Sequence, residues 1–134
     1  MRETVLLINF KDEKRLRAVR SVLMLHKVLI KTVAKEEYAQ PAGALAGIKE
    51  LEIKDAVYTG DDLEKEMILF AGLSDAKLNS ILAGMRKKKI TGISLKAVLT
   101  PSNMHWTIPK LYDEISKEHE YMKKEKKPIH SADL

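Results

Sequence analysis

The chain has 134 residues, 45% of them hydrophobic, and a formal net charge of +5. This is the size of one domain with material for a real core. It holds no cysteine, which excludes disulfides, thiol nucleophiles and cysteine-ligated metal sites, and no apolar run of the ~18 residues a membrane span needs. The charge is mild beside the solid basic face of a dedicated nucleic-acid binder. The N-terminus enters a predicted strand at once without a signal-peptide layout, so a cytoplasmic protein is expected.

Val5–Phe10 (VLLINF) is an apolar run of strand length. Asp12 follows as a candidate N-cap, since its carboxylate can accept the free amides of the next turn. Leu16, Val19 and Leu23 then recur at helical spacing, and this helix is expected to end near His26-Lys27. Val28–Ala34 is β-branched and reads as a second strand. Glu36–Glu50 predicts a short, closely packed helix, with Pro41 in its first turn and Leu45 and Ile48 as anchors. Leu51–Glu66 is a polar connector that Ile53, Val57 and Tyr58 are expected to tack down.

Met67–Phe70 is the third strand and Ser74 the next N-cap. Leu73 and Leu78 stand at the hydrophobic-staple positions around it. Leu78, Ile81, Leu82 and Met85 give that helix its apolar face, and Arg86-Lys87-Lys88-Lys89 ends it, where cations complement the helix dipole. Ile93–Leu99 is the fourth strand. Thr107 caps a last helix with Ile108, Leu111, Tyr112 and Ile115 facing inward. Residues 123–134, with Lys123, Lys124, Lys126 and Lys127, read as a polar flexible tail.

A shift of 62 residues lays Val5-Leu6-Leu7-Ile8 on Met67-Ile68-Leu69-Phe70, Asp12 on Ser74, and Leu16, Val19 and Leu23 on Leu78, Ile81 and Met85, without a gap as far as Val28 on Ile90. The expected fold is therefore α/β, a single domain over 1–122. Two βαβα pseudo-repeats (about 4–50 and 66–119) share one four-stranded sheet with helices on both faces. The first and third strands are near-continuously apolar, as central strands are. Lys31 and Lys96 suit outer strands. A 2-1-3-4 order built from right-handed crossovers fits, with a ferredoxin-like α+β sheet as the alternative. In the first arrangement a ligand would sit beyond the carboxyl ends of the central strands, between Phe10-Lys11-Asp12 and Gly72-Leu73-Ser74.

No catalytic or metal-binding constellation stands out. Gly43 and Gly47 lack the Lys-Ser/Thr partner of a phosphate loop. His119 has no second histidine one turn on, and Asp61-Asp62 lie in the connector. The densest set of functional side chains is in Ile93–Leu111: Lys96, Thr100, Asn103, His105 and Trp106. Two readings fit. Thr100-Pro101-Ser102-Asn103 closes a turn with Trp106 sealing the core edge. Alternatively, the five residues surround a small polar or anionic ligand at a strand end that meets a helix N-terminus.

The pattern LKAVLT-x-x-N-x-x-W, Leu95 to Trp106, with a following helix ending in Glu-His, resembles a bacterial family catalogued as a domain of unknown function, number thirty-seven eighty-three. The resemblance is strongest from Met67 to His119. It implies a small bacterial cytoplasmic protein and carries no assigned activity, cofactor or partner.

Three functions fit these observations: a non-catalytic ligand-binding or regulatory module with no cofactor, a salt-sensitive binder of nucleic acid or acidic protein through Lys87–Lys89 and the tail, and a small enzyme using Lys96 or His105 as acid or base. The first is preferred and nucleic acid is disfavoured. Met24, Leu25 and Met122 are left unburied by the predicted helix faces and offer a homodimer surface.

Overall fold

The computed structural model describes the backbone of residues 1–133 and the side chains of residues 1–124. In chain order it contains β1 (Thr4–Ile8), α1 (Glu13–Met24), β2 (Leu29–Val33), α2 (Ala42–Leu45), β3 (Met67–Ala71), α3 (Asp75–Lys87), β4 (Leu95–Val98) and α4 (Ile108–Asp133). Short 3-10 turns, Lys35–Ala39 and Asn103–His105, precede α2 and α4. The four strands form one open sheet in the order β2-β1-β3-β4. That order is the expected one and differs from the ferredoxin-like alternative. α4 takes in the stretch from Lys123 that the sequence predicts as a tail. Among the described residues no helix is long and apolar enough to cross a membrane.

Strand alternation assigns the core to two layers. Val5, Leu7, Ile68 and Phe70 face α1 and α3, against Val19, Val22, Leu23, Ile81 and Met85. Leu6, Ile8, Met67, Leu69, Leu95 and Ala97 face α2 and α4, against Ala42, Leu45, Ile108 and Leu111. All residues of β1 and β3 are buried, which is why their sequences are apolar without alternation.

The central pair departs from expectation. β1 pairs parallel with β2 and β3 parallel with β4, but β1 and β3 run antiparallel, with Leu6 opposite Leu69. The cause is the route between α2 and β3. Beyond α2 the chain doubles back, held by Gln40, whose side chain accepts from the Lys54 amide (2.6 Å) and donates to the carbonyls of Lys54 (2.8 Å) and Ala56 (3.2 Å). Asn9 Nδ2 then donates to the carbonyls of Leu63 (2.9 Å) and Lys65 (3.1 Å), fixing the entry to β3 beside the end of β1. The carboxyl ends of β1 and β3 therefore lie at opposite ends of the sheet. The crevice expected between Phe10-Lys11-Asp12 and Gly72-Leu73-Ser74 does not form.

Other local expectations divide. Asp12 caps α1, accepting from the amides of Lys14 (2.9 Å) and Arg15 (3.3 Å), and Ser74 caps α3, accepting from Lys77 (3.2 Å). In the connector, Tyr58 packs on Tyr38 with ring centroids 5.5 Å apart. Ile53 and Val57 do not tack it down: they are exposed, and Gln40 does the holding that apolar contacts were expected to do.

The strand part of the expected alignment also slips by one. β1 and β3 are each followed by a residue with left-handed backbone, Asn9 (φ 63°) and Gly72 (φ 78°), so matching the two strands end to end sets Val5 against Ile68 and not Met67. Val5 and Ile68 share the α1/α3 face, whereas Met67 lies on the other. A one-residue slip in a strand exchanges its faces, and an all-apolar strand hides the error. The link from α3 to β4 (88–94) is longer than that from α1 to β2 (25–28).

Candidate functional site

The polar turn after β4 is a closed structure. The Thr100 amide donates to Asn103 Oδ1 (2.8 Å), the Asn103 amide donates to Thr100 Oγ1 (3.1 Å), and Asn103 Nδ2 donates to the Val98 carbonyl (3.0 Å). This is a reciprocal capping arrangement, in which each side chain satisfies the amide that the other leaves free. Asn103 is buried. Its hydrogen-bonding groups serve the turn, as the first reading of this stretch expects.

The five residues singled out in the sequence do not converge on one cavity. Trp106 is half-buried on the α2/α4 side, with the Lys110 ammonium 5.2 Å from its ring centre. Its carbonyl accepts from the Ala42 amide at 2.7 Å, tying α2 to the turn before α4. His105 is exposed. Lys96 alternates with Leu95 and Ala97 and so belongs to the other face of the sheet edge, where its ammonium donates to the Ile93 carbonyl. Burial holds the Lys96 pKa below the usual lysine range. Lys96 lines two small depressions, one of about 220 Å³ with Leu82 and Ile90, the other of about 190 Å³ with Ile115, Glu118 and His119. Thr100, Asn103, His105 and Trp106 line neither. Arg86 to Lys89, Lys123 and Lys124 are exposed, as are Met24, Leu25 and Met122. The side chains of Lys126 and Lys127 lie outside the described residues. Among those residues no group of His, Asp or Glu could hold a metal ion.

Two larger clefts sit at opposite ends of β1. The first, about 450 Å³, is lined by Asn9, Lys11, Asp12, Arg15, Leu63 to Glu66 and Gly92. Several of its charges are already paired. Arg15 grips Glu66 with three contacts of 2.6 to 3.2 Å, and Lys11 bonds Asp62. The hydrogen bond to Glu66 raises the Arg15 pKa, and the one from Lys11 lowers that of Asp62. Asn9 Oδ1 is buried there without a hydrogen-bond partner among the described residues. With its main cations neutralised, this cleft offers little net attraction to an anion.

The second cleft is larger, about 680 Å³, and is lined by Met1, Arg2, Thr4, Leu29 and Ala46 to Glu50. Its position follows from where α2 stops. Gly47 adopts φ +96° with open space around it, its amide donates to the Ala44 carbonyl (3.1 Å), and the Ile48 amide donates to the Gly43 carbonyl (2.9 Å). That pair of bonds is a Schellman motif, which ends a helix at a left-handed residue. The apolar residues of its lining are Met1, Leu29, Ala46 and Ile48. Arg2 and Lys49 lie on it and make no ion pair among the described residues, and neither does Glu50. Apolar walls with few charged groups are the usual makeup of a small-molecule site. Sequence reasoning missed it because its residues come from the strand starts and from a helix stop read only as close packing. Gly47 after an apolar helical segment is the signal that marks the stop.

Residues 66–122 match the model of a domain of unknown function (DUF3783). The matched segment runs from the start of β3 into α4 and agrees with the resemblance seen from Met67 to His119. No curated protein and no solved structure matches the chain. Lys96, Thr100, Asn103, His105 and Trp106 lie within the matched segment, and the lining of the larger cleft lies wholly outside it.

Proposed function

We propose that this is a non-catalytic binding module of the bacterial cytoplasm. It is made of two copies of one βαβα unit, and the first copy binds a small anionic ligand in the cleft beyond α2. Three contacts support the duplication. Leu6 faces Leu69, Pro41 bridges to Thr107, and a Cβ on Gly84 would lie 3.1 Å from Val22 Cγ1. In each case the two residues hold the same place in their respective halves under the proposed alignment, the pattern a twofold axis between two copies would give. The cleft of about 680 Å³ carries the functional reading, because its lining combines apolar residues with two cations, Arg2 and Lys49, against one carboxylate, Glu50, none of them ion-paired among the described residues. The bacterial cytoplasmic setting rests on the family resemblance.

A thermal-shift panel of small carboxylates and phosphates tests this reading. A ligand at ~100 times its Kd stabilises the folded state by ~2.7 kcal/mol, several degrees in Tm for a domain of this size. The rise should shrink in the double variant Arg2→Gln, Lys49→Gln. A panel without any stabiliser, or a rise unaffected by the double variant, would remove the cleft as the anion site.

A further inference from the structure

We infer that the cleft beyond α2 selects an aryl carboxylate, a flat ring carrying an acid group. This rests on reading that cleft as a ligand site and adds the class of ligand. The second half supplies the template. α2 and α4 enter the fold at the bridged pair Pro41 and Thr107, and Ala42 and Leu45 bury in the same layer as Ile108 and Leu111. Carrying that register one residue further places Ala46 where Tyr112 stands. In the second half the Tyr112 ring packs against the core, and its hydroxyl accepts from the Lys65 backbone amide at 3.0 Å. In the first half Gly47 has ended the helix, position 46 bears only a methyl group, and Ala46 and Arg2, the counterparts of Tyr112 and Lys65 in this register, both line the cleft.

The template extends to the polar end. Lys65 stands two residues before Met67, the first residue of β3, and Arg2 stands two residues before Thr4, the first of β1. A ring in the cleft would therefore meet Leu29 and Ala46 as the Tyr112 ring meets the core, with its polar end toward Arg2. In the template that end meets a backbone amide; here the lining also includes Arg2, whose guanidinium can bind carboxylate in bidentate geometry, and Lys49 adds a second cation to the same lining. A ring bearing a carboxylate satisfies both ends and matches the planar Tyr112 ring of the template, whereas acetate leaves the apolar lining uncovered and a neutral phenol leaves the cations without an anion.

The test is calorimetry on the full chain with 4-hydroxyphenylacetate, compared with cyclohexylacetate, acetate and phenol. The aryl acid is expected to bind at least tenfold tighter than the other three. Ala46→Tyr, which supplies the side chain used by the other half, should abolish binding while the far-ultraviolet spectrum is retained. Arg2→Gln, a surface change, should weaken binding about tenfold and flatten its salt dependence, so the inference stays testable if Ala46→Tyr misfolds. Equal affinity for cyclohexylacetate overturns the aryl preference but leaves the anion site standing. Aryl acid binding that survives both substitutions overturns the placement. A chain that binds none of the four but binds another anion from the panel, in a manner lost with Arg2→Gln and Lys49→Gln, overturns this inference alone.

Discussion

α2 and α4 leave the same layer of the sheet from neighbouring points, yet one stops within about a turn and the other runs on past Tyr112 and Ile115. Both are preceded by a 3-10 turn closed by a side chain three residues in: Glu37 accepts from the Ala34 amide (2.9 Å) as Asn103 accepts from that of Thr100 (2.8 Å). The entries are alike and the exits differ. At the exit of α2 stands Gly47, at ease with φ +96°, and beyond it the chain turns back along Gln40. The comparison teaches that a helix stop, more than any cluster of reactive side chains, makes the principal cavity here.

The largest effect should come from Gln40, which does for the first half what packing along α4 does for the second. Gln40→Ala leaves the Lys54 amide and two carbonyls without partners, at ~1–3 kcal/mol for buried groups. Hydrogen exchange is expected to rise across residues 51–58 and to stay unchanged in α4. Uniform protection loss would mean that the connector is not an independent unit.

Next come two of the left-handed residues that follow helices, Gly47 and Lys89. Lys89, at φ +60°, ends α3 with the same bonds that Gly47 makes after α2: Lys89 N to Arg86 O (3.0 Å) and Ile90 N to Met85 O (2.9 Å). A left-handed conformation costs a residue with a Cβ ~1–2 kcal/mol. Lys89→Gly should therefore raise stability in urea denaturation by up to that amount, and Gly47→Ala should lower it similarly, since no atom crowds its Cβ position. Shifts of the same sign would break the comparison.

The smallest effect concerns the two capping side chains. Burial raises the Glu37 pKa, but the Ala34 amide and the Lys31 ammonium (3.1 Å) outweigh it and hold it below the carboxylate value of 4.5. A depressed folded pKa means that Glu37 contributes stability above 4.5, and that this is lost as pH falls through the folded value. For a part-exposed pair the amount is ~0.2–1 kcal/mol. Glu37→Gln should flatten the acid limb of the stability profile, and Asn103→Gln should not alter its slope.

Much of the fold was legible in the sequence, because caps and helix faces are local signals. Asp12 and Ser74 could be read as caps from residue type and position, and the outer strands from Lys31 and Lys96. The antiparallel centre was not legible, since it is set by side chains bonding across distant backbone, Gln40 to Lys54 and Asn9 to Leu63. The strand register was hidden because β1 and β3 are apolar on both faces, so no alternation marks a slip. Among the candidate site residues, Thr100 and Asn103 are spent on their own turn, an outcome that the Thr-x-x-Asn spacing already permitted. The cleft beyond α2 lies where the helix stops at Gly47, and in the sequence that glycine reads only as a sign of close packing.

The most direct measurement is an amide chemical-shift titration of the full chain with 4-hydroxyphenylacetate. The account predicts saturable shifts concentrated at Arg2 to Thr4, Leu29 and Ala46 to Glu50, with Tyr112 and Thr100 to Trp106 unmoved. Shifts centred on Thr100 to Trp106, or none that saturate, would contradict it.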